Sequence, residues 1–327
     1  MQETELFFHS TDSTSEIRAL CWEPAGYPDA CTDILCSLQI LHGMGEHIER
    51  YRCFAEHCTR CGIVVFGHDQ IGHGKSVASP EQLGHMPLGS TELLIDDAHR
   101  LRLMMQKRFQ PREAKESLPH FMLGHSMGSF VLRLYLTHYF EGVSGAIISG
   151  TSHQPLLLSM GVLLLARILA ASKGVAFKSP RLQDRFVGAY SKQIDNARTS
   201  LDWLSTDKRV VDEYIASPEC GFLVDAGTVH SIAGLTSSMV RRKAAAAVPS
   251  SLPLLFISGA EDPIGEKGAA VKRAVQLFKS TGHSDVTLVL YEAMRHETLN
   301  ELGKEQVYND IEKWLKKQLV ARIGRRL

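Results

Sequence analysis

The sequence predicts an α/β fold: a mostly parallel central sheet with helices on both faces, interrupted by a helical insertion. Three observations carry that expectation. Through residues 35–148, apolar stretches of strand length alternate with amphipathic helical spacing, the pattern that crossover-connected parallel strands require. The alternation stops near Gly150, stays helical over residues 151–240 and resumes at Pro253. Finally, Ser126, Asp262 and His296 each fall just after an expected strand, so one edge of a parallel sheet can gather all three.

Taken in order, residues 6–9 and 17–22 are apolar stretches joined by Ser10-Thr11-Asp12-Ser13-Thr14, an opening β-hairpin. A strand over 35–41 precedes a helix over 46–61, in which Ile48, Tyr51, Phe54 and Cys58 share a face. Residues 63–66 form a buried strand, and 93–109 a helix with Leu94, Ala98, Leu101 and Met105 inward. Strands at 121–123 and 146–148 flank a helix over 126–139. After the insertion come a strand at 253–257, a helix at 266–278, a strand at 286–291 and a closing helix at 306–319. Core segments 1–150 and 241–327 are thus expected to carry a helical cap over 151–240, above the carboxyl ends of the strands.

Length admits one large α/β domain or two smaller ones. Thirty-six lysines and arginines balance 36 aspartates and glutamates, so no global field points to nucleic acid. The acidic start Met1-Gln2-Glu3-Thr4-Glu5 is unlike a signal peptide. No apolar run is expected to approach the ~20 residues of a membrane span. A cytosolic protein is expected, with free thiols at its seven cysteines. Cys58-Thr59-Arg60-Cys61 lacks a second pair that would complete a zinc site.

The chemistry concentrates in Gly124-His125-Ser126-Met127-Gly128. A G-x-S-x-G run between strand and helix puts a serine on a strained turn, where flanking glycines let the chain pass. Taken alone, the five-residue pattern is better read as a helix-capping serine after a strand; the features below lift it above that reading. A hydrolase of this kind needs two backbone N–H groups aimed at the developing oxyanion. Met127, after the serine, and Met44, in His42-Gly43-Met44-Gly45, are placed to give them. Gly43-x-Gly45 also opens like a dinucleotide fingerprint, but Ile48 stands where the third glycine belongs. Asp262 and His296 follow in the order a Ser–acid–His triad takes. Their positions set His296 above His230 and His283, and Asp262 above Asp225 and Glu261. In this reading His296 is general base, Asp262 orients it, and an acyl-enzyme forms on Ser126 without metal or cofactor. The loop with His68, Asp69 and His73 lacks binuclear-zinc spacing and is expected to brace the site.

These residues resemble the monoacylglycerol lipase and lysophospholipase branch of the α/β-hydrolases. The resemblance rests on His42-Gly43-Met44-Gly45-Glu46-His47 with Arg50-Tyr51, Asp69 with Gly72-His73-Gly74-Lys75-Ser76, the Ser126 pentapeptide, Gly259 with Asp262-Pro263, and His296-Glu297 with Asn300-Glu301. It implies an α/β-hydrolase fold, Ser126, Asp262 and His296 as triad, Met44 and Met127 as oxyanion donors, and a single-acyl lipid ester as substrate. Substrate-binding residues belong to the cap within 151–240. There, residues 156–171 are apolar nearly all round, so the helix is either buried or meets an apolar partner. The balance favours a helix packed mostly on the core, with a few residues lining a pocket. Lys313, Lys316, Lys317, Arg322, Arg325 and Arg326 crowd the C-terminus, which raises the hypothesis of weak contact with an anionic membrane.

Overall fold

A computed structural model describes residues 1–27, 34–110 and 117–324. The opening hairpin forms as expected: β1 (Gln2–His9) pairs antiparallel with β2 (Glu16–Glu23). Asp12 Oδ1 closes the turn by accepting the N–H groups of Thr14 (2.7 Å) and Ser15 (2.8 Å), the short-range role for which aspartate is favoured in turns. The remaining strands are β3 (Cys36–Leu41), β4 (Ile63–His68), β5 (His120–His125), β6 (Val143–Ser149), β7 (Leu254–Gly259) and β8 (Val286–Tyr291). They form one eight-stranded sheet in the order β1-β2-β4-β3-β5-β6-β7-β8. From β4 to β8 every neighbouring pair is parallel.

The helices are α1 (Arg52–Arg60), α2 (Ser90–Arg108), α3 (Met127–His138), α4 (Leu156–Lys173), α5 (Pro180–Ser191), α6 (Lys208–Ala216), α7 (Ala226–Met239), α8 (Arg242–Ala247), α9 (Ala269–Ser280) and α10 (Lys304–Gly324). Two apolar layers hold them to the sheet. One gathers Leu94, Leu101, Val131, Tyr135 and Phe278 from α2, α3 and α9. The other gathers Phe54, Cys58, Ile311, Trp314 and Leu315 from α1 and α10. Because β3 lies between β4 and β5, the chain leaves it in opposite directions on its two sides. The crevice at the carboxyl ends of β3 and β5 is therefore the topological switch point, where open α/β sheets bind ligands.

Several helix boundaries depart from expectation: α2 begins three residues early, at Ser90, and α10 runs from Lys304 to Gly324. The helix expected over 46–61 opens with a 3₁₀ turn, Ile48–Tyr51, before α1 begins. The helix expected from Glu266 starts at Ala269, because Glu266, Lys267 and Gly268 have φ of 50°, 51° and 88°, outside the right-handed helical region.

Helices α4 to α8 occupy the interval between β6 and β7, where no strand was expected, and among the described residues one isolated bridge there pairs Lys178 with Asp225. The expectations for residues 156–171 need correction. In α4 only Ser159, Ala166 and Ala170 are buried, and Leu157, Leu164 and Ile168 are 83%, 60% and 54% exposed. Nor is it true that no apolar run nears membrane length: α4, with 18 residues and mean hydropathy 1.8, is long and apolar enough by composition alone. It follows β6, and the chain rejoins the sheet at β7 after four more helices. Of the basic C-terminal residues, Lys313 and Lys316 pair with Asp310 and Glu312, while Arg325 and Arg326 lie outside the described residues.

Candidate active site

Ser126 sits between the end of β5 and the start of α3 with φ 51° and ψ −118°. A non-glycine residue held there stores about 1–3 kcal/mol, and the surrounding packing leaves it no alternative. A Cβ on Gly124 would lie 2.3 Å from Gly128 O, and one on Gly128 would lie 2.0 Å from Leu41 O. Only glycine lets strand, turn and β3 approach this closely. The Ser126 N–H donates to Ser149 O at 3.0 Å, which ties the turn to β6.

The loop after β3 is pinned by one carboxylate. Glu46 Oε1 accepts the Gly43 N–H at 2.5 Å and the Tyr51 hydroxyl at 2.9 Å, and Oε2 accepts Arg50 Nη1 at 2.8 Å. Arg50 also donates both arms to Glu297, at 2.7 and 2.6 Å. This bidentate geometry is the strong form of an Arg–carboxylate pair. Burial raises the Glu46 pKa, but Arg50 first, then His125 and His42, outweigh it and hold the acid below its ordinary value. The N–H groups of Met44 and Met127 have no hydrogen-bond partner among the described residues, and both residues line the same cavity as Ser126.

The loop with His68, Asp69 and His73 braces this structure from behind. Asp69 accepts the N–H groups of Ile48 (2.8 Å) and Lys75 (3.0 Å) and an arm of Arg18 (3.3 Å). Gln70 N donates to His42 Nε2 at 2.9 Å, so His42 Nδ1 donates to Gly43 O at 2.7 Å. Burial lowers the pKa of both His68 and His73 to about 3, which keeps them neutral.

The turns after β7 and β8 pack directly on each other. A Cβ on Gly259 would lie 2.1 Å from Arg295 O, and Glu261 N donates to Met294 O at 2.9 Å. That contact brings Asp262 Oδ2 to His296 Nδ1 at 3.0 Å. Asp262 Oδ1 accepts the Ile264 N–H at 2.9 Å, and Ser258 Oγ donates to Oδ2 at 3.3 Å. Burial pulls the His296 pKa down, but the charge and hydrogen bond of Asp262, with Glu297 and Glu46 behind, carry it above its ordinary value. The rivals stand elsewhere. Asp225 caps α7 through the Thr228 N–H (2.8 Å) and meets His85. Glu261 is exposed, His283 bonds Phe278 O at the opposite end of β8, and His230 lies on α7 outside the cavity lining.

Ser126 and His296 share a cavity of about 410 Å³. Ser126 Oγ itself has no hydrogen-bond partner among the described residues. Such serine–histidine contacts are often formed only in the complex with substrate. The cavity is roofed by one stripe of α4 (Ser159, Val162, Ala166, Leu169) and by Val229 and Ile232 of α7. Its carboxylates are Glu46, Asp225 and Glu297, each already satisfied as described.

Several functional contacts escaped the sequence reading. The insertion braces the histidine loop from below: His296 N donates to Trp203 O (3.4 Å) and Glu297 N to Leu204 O (2.8 Å), with the Trp203 ring 5.2 Å from that of His296. Arg133 of α3, fully buried with its pKa lowered by burial to about 9, donates to Ser152 O (2.9 Å) and Met239 O (3.1 Å). It thereby holds both ends of the insertion to one helix. The i,i+4 spacing of Glu46 and Arg50 was a legible signal, but Trp203 and Arg133 carry none.

The model of the family described as serine aminopeptidase, S33, matches residues 35–303. The monoglyceride lipase of Rattus norvegicus is 26% identical over 303 residues, covering 92% of this chain and 86% of that protein. The monoacylglycerol lipase of Mycolicibacterium smegmatis is 27% identical over 279 residues, 84% of this chain and 86% of its own. A highly thermostable carboxyl esterase from Bacillus coagulans, solved in complex with glycerol, superposes with a TM-score of 0.87 at 26% identity, covering 98% of this chain and 99% of that one. With the family model spanning most of its length, the chain belongs to the serine aminopeptidase S33 family and is a monoacylglycerol-lipase-like α/β-hydrolase.

Proposed function

We propose that the protein is a serine carboxylic-ester hydrolase whose substrate is a single-acyl lipid with an uncharged head group, a monoacylglycerol. Ser126 Oγ attacks the ester carbonyl as His296 takes its proton, and Asp262 holds the imidazole and stabilises its charged form. The N–H groups of Met44 and Met127 receive the oxyanion. Protonated His296 then releases the alcohol, and water, activated by the same histidine, hydrolyses the acyl-enzyme.

The observation that carries the substrate class is the cavity lining. Its roof is aliphatic, it holds no lysine or arginine among the described residues, and its three carboxylates are engaged. A lysophospholipid phosphate would meet no cation among the described lining residues. A peptide amino terminus would lack a free acid, which weighs against the aminopeptidase activity in the family's description. The outward stripe of α4 supports delivery of substrate from a lipid surface, since exposed apolar patches of this kind mark lipid or partner contact.

Hydrolysis of monoacylglycerols, lysophospholipids and p-nitrophenyl esters, wild type beside Ser126→Ala, tests this reading. Expected is long-chain monoacylglycerol hydrolysis that falls on the order of 10⁶-fold in kcat in the variant. Activity confined to short aryl esters would keep the triad and discard the lipid. A folded wild type that hydrolyses nothing and resists a fluorophosphonate probe would leave a non-catalytic binder of small hydrophobic ligands.

A further inference from the structure

Far from the cavity, the chain gathers a second chemically distinct group. His57 and Cys61 stand one turn apart at the C-terminal end of α1, and Glu312 reaches them from α10. His57 Nε2 lies 2.9 Å from Glu312 Oε2, and one ligand atom from each of the three residues falls within 4.8 Å of the others. Two further contacts fix the group. Glu312 Oε1 is held by Lys316 Nζ at 2.6 Å, which leaves Oε2 turned to His57. The His57 ring packs on Tyr308 of α10 at 5.5 Å. The His57 and Glu312 side chains are 13% and 20% exposed, and Cys61 is half-buried.

We propose that His57, Cys61 and Glu312 form a binding site for a zinc-class divalent cation that joins α1 to α10. A nitrogen, a sulfur and a carboxylate oxygen make a borderline-soft donor set, suited to zinc or cobalt and unsuited to magnesium or calcium. Three protein ligands leave a fourth tetrahedral position for water. The end of α1 adds the favourable field of a helix C-terminus for a cation. On binding, the metal–sulfur bond replaces the Cys61 S–H bond and that proton goes to solvent. The proton shared by His57 Nε2 and Glu312 moves to Nδ1 or to solvent, and no electron is transferred. The Cys58-x-x-Cys61 pair that looked incomplete in the sequence is thereby resolved: Cys58 packs in the core, and the partners of Cys61 come from elsewhere. Cys61 immediately precedes the amino end of β4, whereas the cavity lies at the carboxyl ends of the strands. The six residues of β4 span roughly 20 Å, so the site is separate from ester hydrolysis.

The test is cobalt(II) titration of the reduced, chelator-treated full-length protein. One equivalent should bind with thiolate-to-cobalt charge-transfer absorption and the visible bands of tetrahedral coordination, and zinc should displace it. Cys61→Ser should abolish the charge-transfer band while leaving p-nitrophenyl ester hydrolysis unchanged, which also shows that the variant is folded. His57→Ala and Glu312→Gln should each weaken binding on the order of 100-fold. Cys53→Ser, which removes an exposed thiol on the same helix, should change nothing. A wild type without the thiolate band, a band that survives Cys61→Ser, or one lost in Cys53→Ser would overturn the site.

Discussion

Every residue of α3 from Met127 to Leu136 is buried, whereas α4, with the longer apolar run, buries only Ser159, Ala166 and Ala170. The two helices belong to regions that use apolar side chains for different ends. In the core, both faces of the sheet are covered and each helix has a packed partner. There, burial fixes geometry, and the Ser126 turn is held where a Cβ on Gly124 or Gly128 would collide with backbone. In the insertion, α4 rests against α7 and the cavity on one stripe and leaves Leu157, Met160, Leu164 and Ile168 on the other uncovered. There, much of the apolar surface stays uncovered. The regions meet at Arg133, which ties both ends of the insertion to α3, and at Trp203, which packs on His296.

The comparison can be sharpened, or broken, by experiment. The largest effect belongs to the core. Asp262→Asn should lower kcat about 10⁴-fold with little change in KM, measured on any ester the wild type accepts. A drop of tenfold or less would mean that another acid orients His296. Next come two identical substitutions in the two regions. Gly128→Ala should destabilise by about 3 kcal/mol or more, because its Cβ must displace Leu41 O. Gly161→Ala, within α4 and with no atom near its Cβ, should stabilise by up to about 1 kcal/mol. Denaturant unfolding of both variants reads the contrast, and equal signs would end it.

Smaller still is the effect of the outward stripe. Leu157→Ser combined with Ile168→Ser should raise the apparent KM for long-chain monoacylglycerol in vesicles roughly tenfold and leave soluble p-nitrophenyl acetate untouched. Equal losses on both substrates would show that the stripe supports the cavity rather than lipid contact. The smallest concerns pH. In the proposed mechanism His296 acts as base only when neutral, so kcat/KM should fall as pH drops through its pKa, which stands above the ordinary histidine value. Glu297→Gln removes one of the charges that raise it, so the acid limb should move to lower pH. A shift toward higher pH would contradict the electrostatics described for the site.

Most of the fold was legible because its signals are local. Strand runs such as 63–66 and 286–291, the hairpin turn at Asp12 and the glycines around Ser126 are each set by residues a few positions apart. The order of Ser126, Asp262 and His296 after three strands was legible for the same reason: a parallel sheet places its strand ends along one edge. The helix starting at Ala269 was misread by three residues, because positive φ at Glu266 and Lys267 has no signature in their identities.

What the sequence by itself determined is therefore the α/β alternation, the place of the insertion and the strand ends on which the candidate site is built. Only the tertiary structure decided that Asp262 rather than Asp225 meets His296, that Glu46, Arg50 and Glu297 tie two distant loops together, that Arg133 holds the insertion at both ends, and that α4 faces outward. It alone brings Glu312 to His57 and Cys61. The physical reason is the same throughout. Periodicity records what a segment can bury and how its backbone turns, but a contact or an exposed face depends on which other segment arrives, and the sheet order sets that.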